Sequence, residues 1–83
     1  MNMEKYIATF YTHFGALKFN KDCKKISVKS KQMPVPRVLS SSCGTCVSFE
    51  TGDIATMLKG IDLEDMEGCY LALGKDEYRE IKI

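Results

Sequence analysis

The sequence predicts an α+β fold, a ferredoxin-like β-α-β-β-α-β sandwich with an added C-terminal strand. Two observations support this prediction. Short β-branched and aromatic runs alternate with two segments of helical period. Their order matches the split βαβ plan, whose antiparallel sheet carries both helices on one face. The 83 residues are expected to form a single domain over residues 1–83, because domains usually contain roughly 100 to 200 residues.

The chain begins with a predicted strand and a predicted helix. Residues 5–11 form a β-branched and aromatic run in which alternate side chains share a face. Thr12 is a suitable N-cap for a helix over residues 13–24. Four residues of this helix recur at helical spacing and mark its packing stripe, namely Ala16, Leu17, Asn20 and Cys23.

A second strand is predicted over Ile26–Met33, and a long loop follows it. Ile26 and Val28 lie on one side of this strand. The strand ends before Pro34-Val35-Pro36, because proline donates no hydrogen bond to a central strand. Residues 37–45 contain three consecutive serines and a glycine and show no hydrophobic period. They are therefore interpreted as a loop.

The clearest pattern in the chain predicts a helix after a short third strand. Cys46–Glu50 alternates in the manner of a strand with one buried face. The helix is indicated by apolar residues at i, i+3, i+4 and i+7, with Thr51 or Asp53 as N-cap and Gly60 at its end. These apolar residues are Ile54, Met57, Leu58 and Ile61.

Two further strands complete the predicted sheet. Cys69–Leu73 and Tyr78–Ile83 are both short segments rich in apolar or β-branched residues. The four residues that join them, Gly74-Lys75-Asp76-Glu77, are typical of a hairpin turn. The added C-terminal strand of the fold prediction is the second of these segments.

Composition and charge restrict the class of function. With 45% hydrophobic and 28% charged residues, the chain is typical of a soluble globular protein. Residues 1–50 carry eight Lys or Arg and three Asp or Glu, and residues 51–83 carry four and eight. The resulting net charge of +1 is too small for a protein that neutralises many phosphates, so no nucleic acid partner is expected. The four phenylalanines are interpreted as core aromatics, namely Phe10, Phe14, Phe19 and Phe49.

The cysteines are interpreted on the expectation that the protein is cytoplasmic. No apolar run approaches the roughly 18 residues that span a bilayer, and the first residues lack a signal-peptide core. We therefore expect no membrane partner and reduced thiols rather than disulfides. Cys23 and Cys69 fall where small apolar residues belong, which favours core packing. His13, the only histidine, is interpreted as a solvated residue at the start of a helix.

The remaining two thiols form the motif Cys43-Gly44-Thr45-Cys46. This spacing lets both sulfurs reach one metal ion or each other. A thioredoxin-type mechanism is disfavoured, because a strand follows Cys46 where a helix N-terminus would acidify the first thiol. An alternative function is a metal-binding or structural module, in which a homodimer brings two such motifs to one tetrahedral thiolate site.

The residues around Cys43 favour a negative charge on its sulfur. Hydroxyl groups, a backbone N–H and a guanidinium group all donate hydrogen bonds to anions. These donors belong to Arg37, Ser40, Ser41, Ser42 and Gly44. They would stabilise a thiolate, and equally an anionic persulfide or selenide. The alternative is an ordinary polar loop whose serines bond to backbone groups.

Several of these segments together resemble the selenium/sulfur carrier-like family of small bacterial proteins. The matching segments are Tyr6–Tyr11, Ala16-Leu17, Pro34-Val-Pro-Arg37 and Ser40-Ser-Ser-Cys-Gly44. The resemblance covers residues 5–61 and implies that Cys43 is the carrier thiol. Pro36-Arg37 and the three serines occupy the matching positions around it.

The function expected from this resemblance is the carriage of sulfur or selenium, by a carrier rather than an enzyme. Cys43 would accept a sulfane atom from the persulfide of a donor such as a cysteine desulfurase. Independently of the resemblance, the spacing of the two thiols lets Cys46 attack the loaded Cys43, release sulfide and leave a disulfide. This mechanism uses no cofactor and no resident metal ion.

Overall fold

A five-stranded antiparallel sheet and two helices form the part of the chain that the computed structural model describes, residues 3–82. The elements in chain order are β1 (Glu4–Phe10), α1 (His13–Lys25), β2 (Lys29–Pro34), β3 (Thr45–Thr51), α2 (Ile54–Lys59), β4 (Met66–Gly74) and β5 (Glu77–Ile81). The strands lie in the order β2-β3-β1-β4-β5, and every neighbouring pair is antiparallel. The predicted α+β class is confirmed.

Both helices pack on one face of the sheet and bury a common core. The strands contribute Tyr6, Ala8, Phe10, Val47, Phe49 and Cys69, and the helices contribute Ala16, Phe19, Cys23, Met57 and Leu58. The Phe19 ring lies 5.2 Å from the Phe10 ring and 5.3 Å from the Phe49 ring. Because a fully buried Phe side chain contributes about 1.5 to 3 kcal/mol, this aromatic group is a large part of the stabilisation.

Helix α1 begins at its predicted cap but turns a different stripe toward the sheet. The Thr12 hydroxyl accepts the N–H of Gly15 at 3.0 Å. The predictions for Leu17 and Phe14 are wrong, since these side chains are 40% and 74% exposed. At 100° per residue, Leu17 is one step away from the buried Ala16 and Phe14 lies on the far side, whereas Phe19 fills the place between the helix and the sheet.

Strand β2 starts three residues later than predicted, because residues 26–28 end the preceding helix. The N–H groups of Ser27 and Val28 donate to the carbonyls of Lys24 and Cys23, at 3.2 and 2.8 Å. Ser27 has a φ of 62°, so the pattern is that of a Schellman cap. Val28 packs against the core as the hydrophobic contact of this cap. The alternation of Ile26 and Val28 therefore arises from helix termination.

Strand β3 is buried on both faces, whereas its alternation predicted one. Val47 and Phe49 belong to the core under the helices, yet Cys46 and Ser48 on the other face are also buried. Because β3 lies between β2 and β1, side chains of both neighbouring strands adjoin Cys46 and Ser48 on this face. The proline-bearing end of β2 lies at the edge of the sheet, where Pro34 is opposite Thr45.

The second helix and the C-terminal hairpin follow the prediction with shifted ends. Asp53 caps α2 by accepting the N–H of Thr56 at 3.2 Å, and Gly60 is its C-cap. Strand β4 begins at Met66, three residues before the predicted start, because its first residues pair with the end of β1. The predicted end of the last strand at Ile83 lies outside the described residues.

Candidate functional site

The loop of residues 35–44 joins β2 to β3 and carries Cys43. Its base is closed by the Val35 N–H, which donates to the Gly44 carbonyl at 3.2 Å. Gly44 has a φ of +74°, a left-handed conformation that glycine adopts without strain. The glycine after the cysteine is therefore the residue that turns the chain from the loop into β3.

Two serines fix this loop to the sheet. The Ser41 hydroxyl donates to the carbonyl of Phe10, the last residue of β1, at 2.9 Å. Ser42 donates twice to the carboxylate of Glu67 in β4, through its N–H at 2.9 Å and its hydroxyl at 3.1 Å. The residues on either side of these contacts are thus held over the adjoining ends of β1 and β4.

Cys43 is half-buried at the border between the loop and the core. It packs against the helix-side core cluster, and its thiol donates to the Thr45 carbonyl at 3.4 Å. The Ser41 hydroxyl lies 3.9 Å from the sulfur. Cys43 therefore combines a defined hydrogen bond of its thiol with partial exposure of the residue.

The five residues predicted to stabilise an anionic sulfur have different positions. The Ser41 hydroxyl lies near the sulfur but donates its proton to the Phe10 carbonyl, and both donors of Ser42 are engaged by Glu67. Arg37 and Ser40 are exposed, and Gly44 contributes its carbonyl to the closure of the loop. Their joint action on a loaded sulfur stays a prediction.

Cys46 lies on the opposite face of β3 from the helix-side core and is fully buried. Its thiol donates to the Pro34 carbonyl at 3.7 Å. Burial, with a smaller contribution from the nearby Cys43, raises the pKa of Cys46 to about 11. Its thiol is therefore protonated at neutral pH in this conformation.

Cys23 and Cys69 are core residues, as the sequence predicts. Both are buried in the cluster between the helices and the sheet. Burial raises the pKa of Cys23 to about 11 and that of Cys69 to about 12. Among the four cysteines, Cys43 is the one that is not buried.

His13 is brought to the cysteine motif, although the sequence indicated only a solvated position. Its Nδ1 lies 2.9 Å from the Thr45 Oγ1, within hydrogen-bond distance. Because Thr45 also supplies the carbonyl that binds the Cys43 thiol, the start of α1 adjoins the site. The two partners are 32 residues apart in the chain, so no local pattern signals this contact.

Asp65 links the start of α1 to the segment before β4. Its carboxylate accepts the Thr12 N–H at 3.1 Å and the Thr12 hydroxyl at 2.6 Å. A Cβ added to Gly15 would collide with this carboxylate, so the glycine provides space for the contact. The ends of β1, α1 and β4 that surround the cysteine loop are thereby held together.

The described residues show neither a built metal cluster nor a membrane-spanning helix. In residues 3–82, no group of three or more His, Cys, Asp or Glu side chains is arranged to hold a metal ion. Within the same range, no helix has the length and apolar character to cross a membrane.

Comparison with known proteins gives one match. A protein-family model described as "Putative Se/S carrier protein-like" matches residues 5–71. The match includes the whole cysteine loop and all four cysteines, and it extends beyond residue 61 into β4. No curated protein and no solved structure was found to match the chain.

Proposed function

The chain belongs to the putative Se/S carrier protein-like family, and from this membership we propose that it carries sulfur or selenium on the Cys43 thiol. The observation that supports Cys43 is the contrast among the four cysteines. Cys43 is half-buried in a loop, whereas the other three are buried. Burial raises the pKa values of those three thiols to about 11 or 12. A reactive thiol needs both access and thiolate character.

The loading step transfers one sulfane sulfur atom to Cys43 without an external oxidant. Cys43, as its thiolate, attacks the outer sulfur of a donor persulfide. A bond forms between the Cys43 Sγ and this sulfur, the donor S–S bond breaks, and the donor leaves as a thiolate. The family points to sulfur-transfer proteins as partners, and a cysteine desulfurase in the reducing cytoplasm is the donor that we propose.

The release step uses Cys46 as a second thiol. Its thiolate attacks the Cys43 Sγ, hydrosulfide leaves, and a Cys43–Cys46 disulfide forms. The sulfane sulfur is thereby reduced to sulfide while the two thiols are oxidised, and a dithiol reductant then restores them. Because Cys46 is buried with a pKa of about 11, this release is slow at neutral pH.

The topology of the sheet supports a ferredoxin-like assignment under the same proposal. Strand β3 lies between β1 and β2 and is antiparallel to both, so β1 and β2 are parallel to each other. A split βαβ unit has this arrangement of its two parallel strands, which supports the assignment, and β5 lies beside β4.

The proposal is tested by loading the protein with a cysteine desulfurase and cysteine, followed by intact-mass spectrometry. We expect the wild-type protein to gain roughly 32 Da, the mass of one sulfur atom on the oxidation ladder of cysteine. Cys43→Ser should abolish the gain, and Cys46→Ser, the matched control, should retain it. Sulfur on the Cys43→Ser protein at the wild-type level would contradict the role of Cys43.

Metal analysis of protein purified without added metal separates the carrier from the alternative module. A thiolate site shared by two protomers requires about half an equivalent of zinc or iron per chain. The carrier proposal predicts no such stoichiometric metal, and a loss of metal in Cys43→Ser and Cys46→Ser would support the alternative.

A further inference from the structure

Glu67 places a negative charge directly beside the cysteine loop, residues 35–44. Both of its carboxylate oxygens accept hydrogen bonds from Ser42, the residue that precedes Cys43. These are the N–H and hydroxyl donors that an anion near Cys43 would otherwise use. In this conformation, the Glu67 carboxylate therefore takes two hydrogen-bond donors of the loop that could otherwise bind an anion.

The charge of Glu67 is not balanced by an ion pair among residues 3–82. The salt bridges in this range join Lys18 to Asp22 and Asp62, and Lys29 to Glu50. Further carboxylates, Asp62, Glu64 and Asp65, lie in the segment that leads into β4. Asp62 is paired with Lys18, and Asp65 is bonded to the start of α1. Among residues 3–82, Glu67 is therefore the carboxylate that is hydrogen-bonded to the cysteine loop, and Arg37 is the exposed cation of that loop.

We propose that Glu67 determines the specificity of loading by repelling free anionic sulfur donors from Cys43. This inference rests on the proposed carrier function and names its substrate class. Cys43 takes sulfane sulfur that is presented on a protein thiol, in preference to small anionic persulfides. A protein donor excludes water from the contact and can place its own cations against Glu67, whereas a free anion brings no cation to offset the repulsion by this carboxylate.

The transfer itself is the same with either donor. A free persulfide such as glutathione persulfide gives its outer sulfur to Cys43 and leaves as glutathione thiolate. One S–S bond forms and one breaks, so no oxidant or reductant is required. The discrimination therefore acts on the approach of the donor, where charge has its effect on association rates.

The first test measures the charge effect without any sulfur donor. Cys43 is alkylated with iodoacetate, an anion, and with iodoacetamide, its neutral counterpart, and the ratio of the two rates is compared between variants. Glu67→Gln removes the charge but keeps an oxygen that can accept from Ser42. We expect it to raise the iodoacetate/iodoacetamide ratio about two- to fourfold at low salt, and the gain should vanish near 1 M salt.

Glu64→Gln is the matched control, because Glu64 is exposed and lies three residues before Glu67. An unchanged ratio in this variant would show that the effect belongs to the position of Glu67. An equal increase in both variants, or no increase in Glu67→Gln, would overturn the inference. The thermal unfolding midpoint of each variant is compared with that of the wild-type protein. A lowered midpoint would identify a variant whose fold is disturbed.

The second test uses two sulfur donors with the same variants. Glu67→Gln should be loaded two- to fourfold faster by glutathione persulfide, whereas loading by a cysteine desulfurase should change less. An equal change with both donors would overturn the inference. If neither donor loads the wild-type protein, the carrier function fails, and the alkylation ratio still decides separately whether Glu67 acts on Cys43 through its charge.

Discussion

The cysteine loop and the helix-covered core place the same side chain in two environments. In the core, Cys23 and Cys69 are buried among apolar residues, and burial raises their pKa values to about 11 and about 12. In the loop, Cys43 is half-buried and its sulfur has polar neighbours, the Thr45 carbonyl and the Ser41 hydroxyl. All three residues are cysteines, so the difference in their expected thiol reactivity comes from their positions in the fold.

Cys46 shares features of both environments. It belongs to the motif of the loop, yet it is buried on β3 and has the raised pKa of a core thiol. Cys43 contacts the helix-side core, whereas Cys46 is on the other face of the strand. The two thiols are three positions apart in the chain, and Cys43 is near enough to contribute to the raised pKa of Cys46.

The strongest prediction from the comparison concerns thiol alkylation. In the folded protein, Cys43 should react with iodoacetamide at least about 100-fold faster than Cys23 or Cys69. A pKa of about 11 leaves very little of the Cys23 thiol as thiolate at neutral pH, and burial keeps the reagent away from its sulfur. Peptide mapping after brief labelling measures the rates. Faster labelling of either core cysteine would break the comparison.

A second prediction compares the stability cost of replacing the thiol by a hydroxyl in the core and in the loop. Cys69→Ser should lower the free energy of unfolding by about 1 to 3 kcal/mol, because a more polar hydroxyl would replace a thiol that is buried in the core. Cys43→Ser should change it by less than about 0.5 kcal/mol, as is usual outside the core. Urea denaturation measures both, and Cys69→Ala separates the cost of the polar group from that of lost packing. An equal cost at both positions would give Cys43 a structural role.

The core environment could be predicted from the sequence better than the loop environment. The capping by Thr12 and the core positions of Cys23 and Cys69 follow from local spacing. The assignment of Ile26–Val28 to a strand was wrong, because a helix cap and a strand both place apolar residues two positions apart.

The contacts of the loop depend on tertiary structure. Ser42 meets Glu67 across 25 residues of sequence, and His13 meets Thr45 across 32. Nothing in the local period of either segment specifies such a pair. The motif Cys43-x-x-Cys46 identified the candidate thiols, but the burial of Cys46 depends on the position of β3 between two other strands.

The last prediction tests whether Cys46 acts as a core thiol or as a loop thiol. The persulfide on Cys43 should decay through attack by the Cys46 thiolate. Because the pKa of Cys46 is raised to about 11, its thiolate fraction increases about tenfold per pH unit from pH 7 to 10 and levels off above the pKa. The Cys46-dependent decay should therefore accelerate about tenfold with each unit of pH in this range. Loaded protein is freed of donor and reductant, and intact-mass spectra are recorded over time at pH 7, 8 and 9.

Cys46→Ser provides the background for this measurement, because it loads on the same Cys43 but has no second thiol in the motif. Its persulfide should persist longer than that of the wild-type protein, and the difference should widen as the pH rises. Equal lifetimes at every pH would make Cys46 a bystander in the carrier. A Cys46-dependent decay that is already fast at pH 7 and does not vary with pH would mean that loading brings Cys46 out of the buried position on β3. In that case, both thiols of the motif would behave as loop thiols once Cys43 is loaded, and only Cys23 and Cys69 would keep the properties of core thiols.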